Sequence, residues 1–299
     1  MSETPYRVFN VRLAERRLLT PNMARLVFAG ADLAAMTTLA PDQRIKLFFP
    51  REDGTPSALP VSPDYLKIYK ALPPHQRAPM RTYTIRAIDA ARQLLTVDFV
   101  VHGDNGPASR WAMSAEPGDP IQTTGPNSAY VGEIGGFDWE PPPGLTDLLI
   151  IGDETALPAI AGILEQIALW ENKPRATVCV ELPCMEDAQK VPSWDGLDLR
   201  WLPRDAGNHG YGDLMVGAAL AADIPGSAMR TAPAQPEAVD VDKDTLWDRA
   251  SPAANSFYGW IAGETAAVSR IRTHFLGELG IDRNQLTMMG YWRYGKAHA

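Results

Sequence analysis

Over roughly the first 125 residues, apolar and polar positions alternate in short runs: YRVFNVRLAERR, ARLVFAG, QRIKLFFP, MRTYTIRAI and QLLTVDFVVHG, separated by Gly, Pro or Asp. A period of two puts successive side chains on opposite faces of a strand, and the runs are rich in β-branched and aromatic residues. The pattern predicts an antiparallel β-barrel. Residues 51–79 (REDGTPSALPVSPDYLKIYKALPPHQRAP) hold too many prolines and polar groups for a central strand, because proline cannot donate to a ladder. They are expected to make a long excursion over the surface.

From about residue 146 the pattern becomes short apolar runs followed by helical periodicity. TDLLIIG leads into a helix ending near Trp170. Then come the runs ATVCVEL and LDLRWLP, a helix in YGDLMVGAALAA, the run FYGWIAG, a helix from about Glu264 to Leu279, and the run QLTMMGYW. Strands alternating with helices predict an α/β domain with a parallel sheet. In the Glu264 helix, Ala267, Val268, Ile271, Phe275, Leu276 and Leu279 recur at three- and four-residue steps, and Gly280 stands where a left-handed cap would end it. That stripe reads as core.

The changeover divides the chain into a barrel domain over 1–136 and an α/β domain over 146–299, joined by a linker over 137–145 (FDWEPPPGL) that three prolines make a stiff hinge. Within the second domain, 224–244 (IPGSAMRTAPAQPEAVDVDKD) has too few large apolar residues to pack and is expected to be a mobile insertion.

Composition narrows the classes. With 299 residues, 45% hydrophobic and 21% charged, the chain can bury two cores. A formal net charge of -8 and a pI near 5.2 speak against nucleic acid, so an anionic ligand must meet a local basic pocket. No apolar run approaches the roughly 20 residues that cross a bilayer, and the N-terminal segment lacks a signal-peptide core, so a cytoplasmic protein without membrane insertion is expected. Cys179 and Cys184, the only cysteines, read as reduced structural thiols, and His75, His102, His209, His274 and His298 have no ligand spacing, so no metal site is expected.

Three segments carry chemistry. In Arg81-Thr82-Tyr83-Thr84, Arg81 and Tyr83 share one strand face and Thr82 and Thr84 the other. A guanidinium fork suits phosphate oxygens and a tyrosine ring suits a flat ligand, although such a pair is also common on solvated strands. In HGDNGPASRWA (102–112), a strand ends in a glycine-rich turn and a helix opens with Pro107. Its free amides, with Ala108 and Ser109 small, would admit a pyrophosphate. In GDETALPAI (152–160), Pro158 puts the helix start near Leu157 and leaves GDETA at the carboxyl edge of a strand, where open α/β sheets bind ligands. There is no GxGxxG. Thr155 and Ala156 are small enough to admit a nicotinamide ring, and Asp153 and Glu154 either line that site or are solvated loop acids.

RTYT, VVHGDNGPASRWA, GDETALPAI, FYGWIAGE and the terminal GYWRYG, in this order, resemble the siderophore-interacting protein family of the ferredoxin reductase superfamily. The resemblance spans nearly the whole chain apart from the two irregular stretches. It implies an FAD-binding barrel and an NAD(P)H-binding α/β domain. Carried over by motif, Arg81, Thr82, Tyr83 and Thr84 hold the flavin, Val101, His102, Gly106, Pro107, Ala108 and Ser109 surround its diphosphate, and Asp153, Thr155 and Ala156 meet the nicotinamide nucleotide. The implied activity is a ferric-siderophore reductase that moves electrons from NAD(P)H through FAD to Fe(III).

Anionic ferric siderophores need cations beside the flavin, and Lys46 in QRIKLFFP and Arg293 and Lys296 in GYWRYGKA are the candidates. Trp292 and Tyr294 either cover the flavin or pack the tail. Glu181 and the acidic CMEDAQ turn favour NADH, Arg200 and Arg204 favour NADPH, and the wider family's frequent use of NADPH tips the balance. A ferredoxin donor stays open. The same motifs would serve a flavin reductase with another electron acceptor. A siderophore-binding carrier without activity is the remaining alternative.

Overall fold

In the computed structural model, the described residues are 4–101, 106–229, 246–251 and 255–295. The chain forms two compact units, Met1–Phe137 and Asp138–His298.

The first unit holds β1 (Tyr6–Thr20), β2 (Met23–Ala29), β3 (Arg44–Phe48), α1 (Tyr65–Ala71), β4 (Met80–Thr84), β5 (Ala87–Asp89), β6 (Leu94–Val100), α2 (Pro107–Ser114) and β7 (Pro120–Pro126). The seven strands form one antiparallel sheet in the order β4-β3-β7-β1-β2-β6-β5. Its two outermost strands are consecutive in the chain. Between them the amide of Ile85 bonds to Gln43 O and that of Arg86 to Thr96 O, so the chain steps from one sheet end to the other and closes the barrel. The 15-residue β1 pairs with β7 through its first half and with β2 through its second. Alternation sends Phe9, Val11 and Leu13 inward to meet Leu26, Phe28, Ile45, Leu47, Leu95 and Val97.

β7 (PIQTTGP) lacks the alternation that reveals the other strands, yet it lies between β3 and β1. Its prolines stand at the two ends, where they interrupt no interior ladder bond. Its buried Gln122 accepts from Ser57 Oγ (2.7 Å) and Leu59 N (2.8 Å) and donates to Leu59 O (2.9 Å) and Asn10 Oδ1 (2.8 Å). This amide pins the 51–79 excursion to the outer barrel face. The excursion is not structureless: it contains α1 and packs Leu59, Tyr69 and Ala78 against Val8 and Phe48.

The second unit holds β8 (Asp147–Gly152), α3 (Leu157–Ala168), β9 (Arg175–Leu182), β10 (Leu197–Pro203), α4 (Asp213–Leu220), β11 (Trp247–Asp248), β12 (Phe257–Glu264), α5 (Thr265–Arg272) and β13 (Leu286–Trp292). The sheet order is β10-β9-β8-β12-β13-β11. Its first five strands are parallel and the two-residue β11 is an antiparallel edge, so the sheet is mixed where the strand–helix pattern predicted a parallel one. Leu149 and Ile151 of β8 face α4 and α5, with Met215, Val268 and Ile271 in the same cluster. The last helix widens after Arg272 into a π-helical turn over Thr273–Glu278, and Gly280 follows at φ +67.

The proline segment does not begin as a free hinge. Asp138 and Trp139 are buried in the second unit: Asp138 accepts from Trp247 Nε1 and Arg249, and Trp139 Nε1 donates to Gln166 Oε1 at 2.6 Å. The irregular stretch also starts packed, since Ile224 and Ala228 belong to the core cluster, and its remainder from residue 230 lies outside the described residues.

Gln122→Met should cost about 1–3 kcal/mol, because the N–H and C=O of Leu59 lose their buried partners. It should also make the 51–79 segment cleave faster. Urea unfolding and limited proteolysis check the two effects.

Candidate functional site

Two of the sequence motifs meet at one end of the barrel. Tyr83 of β4 packs on Phe99 of β6 (ring centroids 4.2 Å) and on Phe49 (6.3 Å), and Phe49 in turn packs on Trp111 of α2 (5.9 Å). Burial raises the pKa of the Tyr83 phenol, so it stays a neutral hydrogen-bonding ring. Ala108, Trp111 and Ala112 dock α2 into the barrel core. No side chain caps the N-terminus of α2, and Gly106 precedes it at φ +123, a conformation that any side chain would strain. The helix start therefore offers the amides of Ala108 and Ser109 with the favourable end of its dipole. Arg81 keeps a half-exposed guanidinium whose recorded partner is its neighbour's carbonyl, Met80 O, at 2.8 Å.

These are fitting neighbours for FAD: an aromatic face, a guanidinium and open helix amides for a diphosphate. Pro107 and Ser109 are half-buried, Val101 and Ala108 are buried, and His102 lies outside the described residues.

The register separates the next candidate from that face. Arg81 and Tyr83 lie opposite the inward-facing Leu47 and Ile45, whereas Lys46 lies opposite Thr82 and Arg44 opposite Thr84. Lys46, Thr82 and Thr84 thus share the outer face of β3 and β4. Lys46 Nζ donates to Thr82 Oγ1 at 3.3 Å. Burial and the nearby Arg44 cation lower its pKa.

In the second unit the strand order reverses between β8 and β12, and the carboxyl ends of these strands carry Asp153 and Glu264. Both acids of the GDETA loop are buried at 1% exposure, which rules out their reading as solvated loop acids. Asp153 accepts from Thr155 N (2.9 Å), Thr155 Oγ1 (2.5 Å), Glu264 N (2.8 Å) and Trp292 Nε1 (2.7 Å). Gly263 is required beside it, because a Cβ there would sit 2.6 Å from Asp153 Oδ2. Glu154 binds Arg204 through two parallel bonds of 2.7 and 2.8 Å. Arg204 also donates to Glu181 Oε1 at 3.0 Å, and Glu181 accepts the amides of Gly212, Leu214 and Met215 at the start of α4.

Aromatic rings continue the assembly. Arg204 lies over Tyr211 (4.5 Å), which packs on Trp292 (5.2 Å) and Tyr294 (5.1 Å). Trp292 therefore packs the end of β13, and Tyr294 is mostly exposed.

This network changes the sequence-based assignments. Glu181 and Arg204 were set against each other as readers of the adenosine ribose, but they bind one another in the interior, and Arg200 is paired with Asp198 at the surface. None of the three is left to distinguish NADH from NADPH. Of Asp153, Thr155 and Ala156, only Thr155 has appreciable exposure, so Ala156 cannot itself form a wall for the nicotinamide. Arg293 is half-buried directly after β13, and Lys296 lies outside the described residues. Glu154, Tyr211 and Trp292 emerge as structural partners that no spacing disclosed, because each comes from a different segment: the loop after β8, the turn before α4 and the end of β13. Cys179 is buried and Cys184 half-buried, both unbridged. Among the described residues no cluster of three or more His, Cys, Asp or Glu could hold a metal, and no helix is long and apolar enough to cross a membrane.

An antiparallel barrel with a diphosphate-type helix start, followed by a sheet of the order above, defines a flavin reductase architecture of the ferredoxin-reductase type. Residues 12–130 match the siderophore-interacting FAD-binding domain and residues 145–295 match the siderophore-interacting protein family, so the chain belongs to that family. It is 26% identical over 281 residues to the ferric vibriobactin reductase of Vibrio cholerae, covering 94% of this chain and 88% of the relative. It is 30% identical over 200 residues to the NADPH-dependent ferric-chelate reductase of Escherichia coli, covering 67% of this chain and 72% of the relative. The crystal structure of a siderophore utilization protein from T. fusca superposes with a TM-score of 0.73 at 26% identity, covering 98% of this chain and 95% of that one.

Arg204→Met should destabilise the second unit by about 3–5 kcal/mol, since it strands two buried carboxylates. Urea unfolding followed by tryptophan fluorescence measures the loss.

Burial first, and the Glu154 carboxylate second, push the Asp153 carboxyl from an ordinary 3.8 up to about 7. An acid whose pKa is raised by folding binds its proton more tightly in the native state. Its stabilising contribution is full below pH 3.8 and is lost as pH rises through about 7. The stability difference between the wild type and Asp153→Asn should therefore shift against the wild type across that window. Urea midpoints of both proteins at the two ends of the window test it, and a constant difference would refute the assignment.

Proposed function

We propose that this protein is an FAD-dependent ferric-siderophore reductase, which takes electrons from NAD(P)H and delivers them to Fe(III) held in an anionic chelate, releasing Fe(II). The observation that carries the reading is the aromatic bridge Tyr83–Phe99–Phe49–Trp111, which brings the Arg81–Thr84 strand and the uncapped α2 into one site. FAD, when bound, accepts a hydride and passes on electrons singly, the conversion that a one-electron acceptor such as Fe(III) requires.

The chain's own residues bind and orient. Arg81 and the amides of Ala108 and Ser109 neutralise the diphosphate, with Val101, Gly106 and Pro107 around it. Tyr83 and Thr84, with Thr82 just before them on the strand, hold the flavin ring. Thr155, beside Asp153, is the accessible contact for the nicotinamide nucleotide at the β8 edge. NADPH is the favoured donor, because the Escherichia coli relative is named for it. No ferredoxin is needed.

Lys46 is the cation of the barrel unit that attracts the anionic chelate. Lys46 is suited to this because it is half-buried and its one recorded contact is the neutral Thr82 hydroxyl. Reduction lowers the charge on iron and weakens its bonds to hard oxygen ligands, so the chelate lets go. Neither an acid-base dyad nor a nucleophile is required. We place the reaction in the cytoplasm, where a reduced nucleotide is at hand.

The purified protein should be yellow. Under anaerobic conditions NADPH should bleach the flavin bands, and a ferric chelate should restore them while a ferrous chelator reports Fe(II). A retained flavin that neither NADPH nor NADH reduces would remove the nucleotide from the scheme. A protein that takes up no flavin even on reconstitution would reduce the role to carriage.

A further inference from the structure

Asp153 receives four hydrogen bonds where the strand order reverses between β8 and β12, two on each oxygen. Oδ1 accepts the amide and the hydroxyl of Thr155, at 2.9 and 2.5 Å. Oδ2 accepts Glu264 N and Trp292 Nε1, at 2.8 and 2.7 Å. An ionised carboxylate has about four lone-pair sites, and all are filled. Three of the donors are N–H groups, which can only donate. The Thr155 hydroxyl alone can reverse, because it carries one proton and two lone pairs. The charge state of Asp153 is therefore transmitted to a single neighbour, and that neighbour is the half-buried residue of a loop whose Asp153, Glu154 and Ala156 are buried.

The charged groups around Asp153 are committed elsewhere. Glu154, next in the loop, is clamped by Arg204, which arrives after β10. Glu264, at the end of β12, turns its carboxylate to the amides of Ala266, Ala267 and Tyr294. From β13 the neighbour is the neutral indole of Trp292, and from α4 the methyl of Met215 lies across Gly263. Among the recorded partners of Asp153, Thr155 Oγ1 is thus the one atom that can accept its proton. With Asp153 ionised, the Thr155 proton is held inward and the hydroxyl oxygen shows the crevice only lone pairs. With Asp153 protonated, the acid donates to that oxygen and the hydroxyl proton turns outward.

We propose that Asp153 is a positioning residue for the electron donor: by holding the Thr155 proton inward it makes that hydroxyl an acceptor, which selects the carboxamide N–H2 of a nicotinamide. This rests on the reading of Thr155 as the nicotinamide contact. A carboxamide nitrogen can only donate, so it needs an oxygen whose lone pairs face it. Asp153 acts through Thr155 and does not itself meet the nucleotide, which accounts for a carboxylate placed at a ligand edge and yet out of reach of solvent.

The test compares NADP+ with its acetylpyridine analogue, in which a methyl group replaces the amide N–H2 and the carbonyl stays. Isothermal titration calorimetry on the flavin-loaded protein gives both dissociation constants, and their ratio cancels the adenosine and phosphate contacts that the two ligands share. At about pH 8.5, with Asp153 ionised, the wild type should prefer NADP+ about fivefold, the net value of one hydrogen bond. At about pH 6, below the value of about 7 to which burial and Glu154 raise the acid, the preference should fall under about twofold. Thr155→Val should show no preference at either pH, and Thr155→Ser should keep the wild-type pattern. In Asp153→Asn the amide nitrogen turns to Thr155, the side with the one reversible partner, so the preference should be absent at both pH values. The wild-type pH comparison decides the matter even where Asp153→Asn does not fold. A preference that Thr155→Val abolishes, but that neither pH nor Asp153→Asn alters, leaves the contact standing and overturns the inference. Equal binding of both ligands by the wild type at the higher pH removes Thr155 from the nicotinamide, and the inference falls with it. Binding of neither ligand overturns the nucleotide reading itself.

Discussion

The guanidinium of Arg204 holds together the carboxyl edge of the second unit. It arrives just after β10, grips Glu154 beyond β8 with two bonds, and reaches Glu181 at the end of β9. Glu181 passes the charge on to the first amides of α4, so three strands and a helix are tied through one buried cation. Such a cluster is tolerable only when every lone pair is met, because desolvating ions costs several kcal/mol each. Asp153 completes it from the β12 and β13 side, accepting from Glu264 N and Trp292 Nε1. A ligand edge that in many α/β sheets is loose is here internally wired, which leaves Thr155 as its accessible point.

The barrel works by a different constraint, the strict alternation of β3 and β4. One face turns Ile45, Leu47 and Tyr83 toward the core and the aromatic bridge to α2. The other turns Lys46, Thr82 and Thr84 outward, where the excursion covers only the apolar half. A few consecutive residues therefore present an aromatic face inward and a hydroxyl-and-lysine face outward. Gln122 makes the division possible by fastening Leu59 in place.

Membership of the siderophore-interacting protein family gives these features a common purpose. Electron transfer to ferric iron asks the protein for binding and placement rather than for acid-base catalysis. The barrel unit offers an uncapped helix start, a half-exposed guanidinium and a lysine beside a threonine hydroxyl. In a chain of net charge -8, an anionic ligand would need such a local cation, since the bulk of the surface repels it.

Much of this was legible in the sequence. Period-two runs marked β1 to β4 and β6, helical spacing marked α5 and its core stripe, and RTYT, the Pro107 helix start and GDETALPAI lay where local rules place ligand contacts, because strand and helix periodicity are properties of adjacent residues. β7 escaped notice since Gln122, Thr123 and Thr124 are polar yet buried, and the partners of the Gln122 amide in the excursion lie more than sixty positions away. α1 was hidden by the prolines around it. The fate of the charged residues was the least readable: Glu154, Glu181 and Arg204 look in sequence like three separate surface groups, and Trp292 like a loose tail aromatic. Only the tertiary structure brings them to one strand edge, and there desolvation leaves mutual pairing as the stable arrangement.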